Sequence, residues 1–157
     1  MTHRAKVLTV SDGVAAGTRE DGAGPALVER LANAGFEVVE RAVCPDGVDA
    51  VTSSLGALCG GFHGVVVTTG GTGLGPRDLT PEATRRVIER EAPGLAEQMR
   101  AASPRPHGAL SRGVCGAVGE ALVLNLPGST KGALECLDAV LDALPHALDL
   151  LGGRTDH

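Results

Sequence analysis

The feature that most limits the fold is an uninterrupted β-branched run, Gly64-Val65-Val66-Val67-Thr68-Thr69. A strand without alternating polar positions is typical of a parallel sheet that helices cover on both faces. Two more strands are predicted at residues 6–11 and 37–43, with helical patterns at residues 22–34 and 48–59 between the three strands. This alternation predicts βαβ units and therefore a three-layer α/β/α fold with a mostly parallel sheet.

Two local patterns predict where helices begin, and a third predicts where one ends. Thr80-Pro81-Glu82 is typical of a helix start with Thr80 as N-cap, and Asp46 is a candidate N-cap for the helix that follows from Val48. Gly35 is placed to end the helix over residues 22–34 in a left-handed conformation.

The last third of the chain predicts a hairpin and a long helical segment. Residues 113–118 and 121–126 flank Gly119-Glu120, a two-residue connection that favours an antiparallel pair of strands, so the sheet is expected to be mixed. Leucines at spacings of three and four residues predict a final helix, which Pro145 should kink or split. The whole chain, 1–157, is expected to form a single domain.

Composition excludes several classes of protein. The net charge is −5, no basic run exceeds the pair Arg85-Arg86, and the chain has two Phe, no Tyr and no Trp. It therefore lacks the positive patch and the stacking side chains expected for nucleic-acid binding. The N-terminal apolar run is too short for a membrane span or a secretory signal, which favours a cytoplasmic protein. The four cysteines form no C-x-x-C pair and are expected to be buried small hydrophobic residues.

Glycines accumulate between Thr68 and Asp78, where the third strand opens into a loop before a helix. Glycine permits positive φ and lets backbone N–H groups approach an anion, so the loop is a candidate phosphate site. The spacing matches neither a P-loop nor a dinucleotide-binding fingerprint. A purely structural turn remains the alternative for this loop considered alone.

Three acids follow the ends of predicted strands. Asp12 and Asp46 come after the first and second strands, and Asp78 comes after the glycine loop that follows the third strand. Because the carboxyl ends of parallel strands meet at one edge, the three carboxylates are expected to converge there. Such a group is suited to Mg²⁺, which takes oxygen ligands. Three independent helix caps are the alternative interpretation.

The segment from Asn125 to Lys131 forms a further strand-to-helix junction. Gly128 and Ser129 can present a backbone N–H and a hydroxyl to an anion, and Lys131 could balance its charge. A simple helix start capped by Ser129 explains the same residues equally well.

Several motifs, taken in order, resemble those of the molybdopterin adenylyltransferase family, and the resemblance covers nearly the whole chain. The motifs are Val7-Leu8-Thr9-Val10-Ser11-Asp12, Thr69-Gly70-Gly71-Thr72-Gly73, the run from Pro76 to Thr84, Pro93-Gly94 with Glu97-Gln98-Met99, Leu110-Ser111-Arg112, and Asn125-Leu126-Pro127-Gly128. The resemblance implies a homotrimer in contact with other enzymes of molybdenum cofactor biosynthesis. It also implies that molybdopterin and Mg-ATP are bound and that adenylyl-molybdopterin and pyrophosphate are released.

The resemblance assigns roles to particular residues. It implies that Asp46 and Asp78 are catalytic and act through Mg²⁺ and phosphate positioning. The residues expected to bind substrate are Ser11, Asp12, Thr69, Gly70, Gly71, Thr72, Gly73, Arg77, Glu97, Ser111, Pro127, Gly128, Ser129 and Lys131.

One departure from the family pattern leaves a second function open. Ser129-Thr130-Lys131 stands where a second proline before the lysine is common, and it resembles the sister branch known as molybdenum cofactor biosynthesis protein B. That branch shares the fold, and some members lack clear activity, so a non-catalytic molybdopterin carrier is the alternative. A nicotinamide-dependent dehydrogenase is disfavoured because the dinucleotide fingerprint is missing.

Overall fold

The structure, a computed structural model, describes residues 2–104 and 106–155. In chain order its strands are β1 Arg4–Val10, β2 Glu37–Cys44, β3 Gly64–Thr69, β4 Arg90–Glu91, β5 Cys115–Val118 and β6 Ala121–Leu126. Its helices are α1 Asp12–Ala15, α2 Ala23–Asn33, α3 Val48–Cys59, α4 Thr80–Val87, α5 Pro93–Ala102, α6 His107–Leu110, α7 Thr130–Val140 and α8 Leu144–Leu151. The first three strands and the two helices between them confirm the alternation predicted from the sequence.

The six strands form one sheet in the order β2-β1-β3-β6-β5-β4. Strands β2, β1, β3 and β6 run parallel, whereas β5 is antiparallel to both β6 and β4. The predicted mixed sheet and its hairpin are confirmed. Because β2 and β3 lie on opposite sides of β1, the connections leave β1 and β3 in opposite directions and open a crevice at their carboxyl ends.

Helices cover both faces of the sheet, and successive residues of one strand pack on opposite faces. Val7 of β1 packs in one apolar cluster with Leu27 of α2 and Leu137 of α7, whereas Leu8 packs in a second cluster with Leu55 of α3. Burying each such side chain contributes about 1.5–3 kcal/mol. The three-layer α/β/α architecture is therefore confirmed, and the buried residues of both cores are mainly aliphatic, with two phenylalanines, one methionine and four cysteines among them.

The second half of the chain confirms some local predictions and adds new elements. A 3₁₀ turn, Leu141–Ala143, separates α7 from α8, and Pro145 lies in the first turn of α8, so the predicted split is confirmed. Strand β4 was not predicted. The short helix α6 was not predicted either, and Arg105, just before it, lies outside the described residues.

Two predictions from composition concern the cysteines and the membrane. All four cysteines are free and buried, as expected. Burial raises the pKa of the Cys115 thiol to about 12, so this thiol stays protonated at neutral pH. Within residues 2–104 and 106–155, no helix is long and apolar enough to cross a membrane.

Candidate active site

A cleft of about 670 Å³ lies at the carboxyl ends of β1, β3 and β6, next to the crevice between β1 and β3. The connections that follow these strands form most of its wall. Many of the residues predicted to act on substrate line it: Ser11, Asp46, Thr69, Gly70, Gly71, Thr72, Gly73, Asp78, Ser111, Pro127, Gly128 and Ser129. The sheet topology therefore brings together residues that are far apart in the sequence, and their roles in binding stay predictions.

The start of the glycine loop accepts no other residue type. Gly70 and Gly71 have φ angles of +105° and +70°, in the left-handed region. A Cβ on Gly70 would lie 2.2 Å from the carbonyl oxygen of Val10, and one on Gly71 would lie 2.2 Å from Thr80 Oγ1. These approaches exclude a side chain at both positions.

Thr80 holds this loop in place and does not cap a helix. Its Oγ1 donates to the carbonyl of Gly70 at 2.9 Å, and its N–H donates to the carbonyl of Gly71 at 3.1 Å. The predicted N-cap role is wrong, because Leu79 is the N-cap residue and Thr80 is the first residue of α4. The hydroxyl is fully buried, so it needs a partner, and the loop carbonyl supplies one.

Asp46 also has a different contact from the predicted one. Gly47, with a φ of +110°, is the N-cap residue of α3, so the prediction that Asp46 caps this helix is wrong. The Asp46 carboxylate instead accepts the N–H of Asp12 through Oδ2 at 2.9 Å, and Asp12 Oδ1 accepts the N–H of Asp46 at 3.1 Å. This reciprocal pair fixes the connection after β2 to the connection after β1.

The two predicted catalytic acids lie at different points of the glycine loop. Asp46 Oδ1 would be 3.3 Å from a Cβ on Gly71, and Asp78 Oδ2 would be 3.0 Å from a Cβ on Gly73. Asp78 Oδ2 accepts the N–H of Gly75 at 2.9 Å, which orients the carboxylate within its own turn. Both carboxylates therefore lie against the loop that is suited to phosphate.

The connection after β6 packs directly on the glycine loop. Thr69 Oγ1 donates to the carbonyl of Pro127 at 2.7 Å, and a Cβ on Gly128 would lie 3.4 Å from the Cα of Gly70. Ser129 caps α7, since its Oγ accepts the N–H of Gly132 at 3.1 Å. The alternative interpretation of Ser129 as a helix cap is thus confirmed, and the residue also lines the cleft.

Arg112 does not line the cleft but holds the glycine loop through hydrogen bonds, a role that the sequence did not predict. Its Nε donates to the carbonyl of Gly73 at 2.8 Å, one terminal nitrogen donates to the carbonyl of Asp78 at 2.6 Å, and its own N–H donates to the carbonyl of Thr72 at 2.8 Å. The guanidinium also pairs with Glu82 of α4 at 2.6 Å. The hydrogen bond from Arg112 holds the pKa of Glu82 below its ordinary value. The motif Leu110-Ser111-Arg112 was the one sequence feature that could have indicated this role of Arg112.

The comparisons with known proteins agree with this geometry. Residues 6–146 match the family model of a probable molybdopterin binding domain. The chain belongs to this family. A molybdopterin adenylyltransferase of Helicobacter pylori (strain J99) is 40% identical over 153 residues, which are 94% of this chain and 87% of that protein.

Two further relatives of this molybdopterin-binding family differ in length. The molybdenum cofactor synthesis protein cinnamon of Drosophila melanogaster is 40% identical over 93% of this chain, which spans only 25% of that protein. A crystal structure of the molybdopterin biosynthesis enzyme MoaB from Thermus thermophilus superposes with a TM-score of 0.89 at 49% identity, covering 97% of this chain and 98% of that chain. The family resemblance predicted from the motifs is confirmed.

Four residues predicted to bind substrate do not line the molybdopterin-family cleft. Arg77 donates two hydrogen bonds to the carboxylate of Asp12, at 2.6 and 3.0 Å, and one to the carbonyl of Asp46 at 2.9 Å. The hydrogen bonds from Arg77 hold the pKa of Asp12 below its ordinary value. Glu97 is exposed on α5, and Lys131 is 83% exposed and lies 4.0 Å from Glu135. The structure thus uses the Arg77–Asp12 pair to join two loops.

Asp21 is a site residue that sequence reasoning missed. It lines the cleft, accepts Thr9 Oγ1 at 2.7 Å and the N–H of Gly24 at 2.9 Å, and pairs with Arg41 at 2.7 Å. Burial opposes its charge, but the hydrogen bonds from Thr9 and Arg41 outweigh burial and hold the pKa of Asp21 below its usual value. No sequence pattern indicated this residue, because its partners come from β1, β2 and the start of α2.

The residues of this molybdopterin-family cleft fit Mg²⁺ only in combination with a ligand. The described residues contain no group of three or more His, Cys, Asp or Glu positioned for a metal. Asp46 and Asp78 each use Oδ2 to accept a backbone N–H, and within the described part of the chain Oδ1 of each accepts no hydrogen bond. Mg²⁺ commonly takes one or two carboxylates together with substrate phosphates and water, which is the set available here.

Proposed function

We propose that the chain is a molybdopterin adenylyltransferase that transfers AMP from Mg-ATP to the terminal phosphate of molybdopterin and releases pyrophosphate. The observation that carries this proposal is the position of Asp46 and Asp78 against one glycine loop, each with a carboxylate oxygen that accepts no hydrogen bond from the described residues. Membership of the family and the similarity to the molybdopterin adenylyltransferase of Helicobacter pylori also support this proposal.

The reaction brings two polyanions together, so charge is the main obstacle. Two like unit charges 4 Å apart repel by about 4 kcal/mol at the effective dielectric of a protein surface. Asp46 and Asp78 would hold Mg²⁺, which neutralises triphosphate charge when bound. The backbone N–H groups of Gly71, Thr72 and Gly73 would bind phosphate oxygens, whereas the N–H of Gly70 already donates to the carbonyl of Leu126 at 3.1 Å. The fixed conformation of the loop means that little reorganisation accompanies the reaction.

The chemical step requires positioning more than proton transfer. An oxygen of the molybdopterin phosphate forms a bond to the α-phosphorus of ATP, and the bond from that phosphorus to the bridging β-oxygen breaks, so pyrophosphate leaves with the bonding pair. Ser111 and Ser129 line the cleft and can donate hydroxyl hydrogen bonds to the two substrates. Holding the reacting groups in line supplies several kcal/mol of the acceleration in such reactions.

A non-catalytic carrier of the MoaB type is the competing function, and a specific similarity favours it. The solved Thermus thermophilus protein named MoaB is 49% identical, and Ser129-Thr130-Lys131 resembles that branch. A carrier would bind molybdopterin without consuming ATP. The retained acid at Asp78 favours the transferase.

Incubation of the purified protein with molybdopterin, Mg²⁺ and ATP distinguishes the two functions. A transferase releases pyrophosphate and forms adenylylated molybdopterin in equal amounts, and Asp78→Asn and Asp46→Asn each reduce the rate by about 100-fold or more, as loss of one transition-state contact typically does. Asp142→Asn is the matched control, since Asp142 is exposed on the 3₁₀ turn outside the cleft. Molybdopterin binding without either product would establish the carrier.

We also propose that the chain assembles as a homotrimer in the cytoplasm and passes its product to other enzymes of the pathway, as its family membership suggests. Sedimentation equilibrium of the wild-type protein tests the assembly directly. A mass of one or two chains at micromolar concentration would contradict the trimer without affecting the proposed reaction.

A further inference from the structure

The charges that line the cleft do not suit an anionic ligand. Its acidic residues are Glu20, Asp21, Asp46 and Asp78, and the only Lys or Arg among the described lining residues is Arg19. The cations predicted from the sequence lie elsewhere: Arg77 is paired with Asp12, and Lys131 is on the outer surface of α7. Arg19 is therefore the one arginine or lysine of the described lining that can offset the charge of a phosphate-bearing ligand.

The backbone of Arg19 is held at the cleft wall by a folded-back loop. The N–H groups of Thr18 and Arg19 both donate to the carbonyl of Gly13, at 2.9 and 3.2 Å. A Cβ on Gly13 would lie 3.1 Å from the Cβ of Arg19, so the stem of Arg19 packs directly on Gly13. The base of the side chain is thus positioned, whereas the residue as a whole is exposed to solvent.

In the described part of the chain, no carboxylate pairs with the guanidinium of Arg19. Within residues 2–104 and 106–155 it makes no ion pair, although Asp21 is only two residues away. Asp21 is already occupied by Arg41 at 2.7 Å and by Thr9. All five donors of the Arg19 fork are therefore available to a ligand.

The loop that carries Arg19 lies beside a second anion-suited turn. A Cβ on Gly22 would lie 3.0 Å from Thr130 Oγ1, which places Gly22, three residues after Arg19, next to the end of the connection that follows β6. Arg19 and residues 127–130 of this connection line the same cleft. That connection contacts the glycine loop, as the approach of Gly128 to Gly70 shows. Arg19 is thus located where it can reach phosphate groups bound between these loops.

We propose that Arg19 is a phosphate-binding residue of the cleft and performs the neutralising role that the sequence predicted for Lys131. A guanidinium matches phosphate oxygens with two parallel hydrogen bonds, which a lysine cannot reproduce. The phosphate belongs to the nucleotide or to the pterin; this choice of ligands rests on the proposed function, whereas the phosphate chemistry does not.

The test compares Arg19→Gln and Arg19→Lys with Arg90→Gln, a control that removes the same charge from exposed β4 outside the cleft. Calorimetric titration in the presence of Mg²⁺ uses inorganic tripolyphosphate, ATP, adenosine and molybdopterin as separate ligands. Arg19→Gln is expected to weaken tripolyphosphate binding about tenfold, the usual size for one charge-assisted contact, whereas Arg90→Gln changes it by less than about twofold. Arg19→Lys is expected to recover part of the loss, and adenosine binding should not change.

The ligand series shows whether the phosphate belongs to the nucleotide or to the pterin. It also tests the role of Arg19 separately from the proposed transferase activity. A loss for tripolyphosphate and ATP assigns Arg19 to the nucleotide, and a loss confined to molybdopterin assigns it to the pterin phosphate. Equal affinities in Arg19→Gln and Arg90→Gln for every ligand would overturn the proposal, even if the wild-type protein adenylylates molybdopterin. Wild-type binding of tripolyphosphate that Arg19→Gln weakens, without any adenylylation, would retain Arg19 and reject the transferase.

Discussion

Replacing Arg112 by alanine removes the main side-chain support of the glycine loop. Arg112 donates from its guanidinium to the carbonyls of Gly73 and Asp78 and pairs with Glu82. The side chain is 34% exposed, so the low end of the range for charge-assisted hydrogen bonds applies, about 1.5 kcal/mol for each carbonyl contact. The partly exposed ion pair adds about 0.5 kcal/mol or less.

The sum is about 3 kcal/mol of lost stability, and a domain of this size loses about 2–4 °C of Tm per kcal/mol, so Arg112→Ala should lower the Tm by about 6–12 °C. The loss of kcat should be larger than the loss of folding stability alone would cause. A displacement of Asp78 by about 1 Å would cost about 100-fold in kcat, because the reacting groups lose alignment. The KM for ATP should change less than kcat if the loop is displaced and the rest of the cleft is retained.

Thermal unfolding by calorimetry and initial rates of pyrophosphate release measure the two effects on the same samples. Arg112→Lys keeps the charge but cannot contact Gly73, Asp78 and Glu82 together, so it should recover part of the Tm and little of kcat. Arg90→Ala is the control for loss of an exposed arginine. A Tm within about 1 °C of wild type together with unchanged kcat in Arg112→Ala would refute the idea that this residue positions the loop.

Three further predictions address other parts of the structure. Gly70→Ala should abolish turnover and lower stability by about 2 kcal/mol or more in urea unfolding, because its Cβ would lie 2.2 Å from the Val10 carbonyl and φ is positive; an unaffected variant would contradict the tight approach. Thr52→Val should raise the Tm by about 2–4 °C, since Thr52 Oγ1 is buried without a partner among the described residues; a fall in Tm would mean that the hydroxyl is satisfied. Asp21 has a lowered pKa, so its contribution is complete above the ordinary value of about 3.9 and is lost as the pH falls through the lower folded pKa. Asp21→Asn should therefore flatten the loss of urea resistance below about pH 4, and parallel wild-type and variant curves would rule this out.

The sequence predicted β3, the hairpin and the break before α8 well because their signals are local. The β-branched run of β3, the Gly-X turn before β6 and the proline of α8 each act on the backbone within a few residues. Local conformational preference and apolar periodicity are readable without knowing the fold. The order of motifs was also sufficient to indicate the family.

The partners of polar side chains were predicted less well. Asp46 and Thr80 both had sequences typical of helix caps, yet Asp46 bonds to the backbone of Asp12 and Thr80 bonds to Gly70. A local cap and a distant backbone group compete for the same side-chain oxygen, and burial favours whichever partner also excludes water. Short patterns carry no information on the distant partner.

Sequence alone determined that this chain forms an α/β sheet with glycine and acidic residues after its strands, because strand periodicity and glycine φ preferences are properties of neighbouring residues. Only the tertiary structure decided which charges face the cleft. Arg77 and Lys131 were expected there, whereas Arg19 and Asp21 line it. Strand order and loop packing set these positions through contacts between residues far apart in the chain, and electrostatic energy depends on those distances in space.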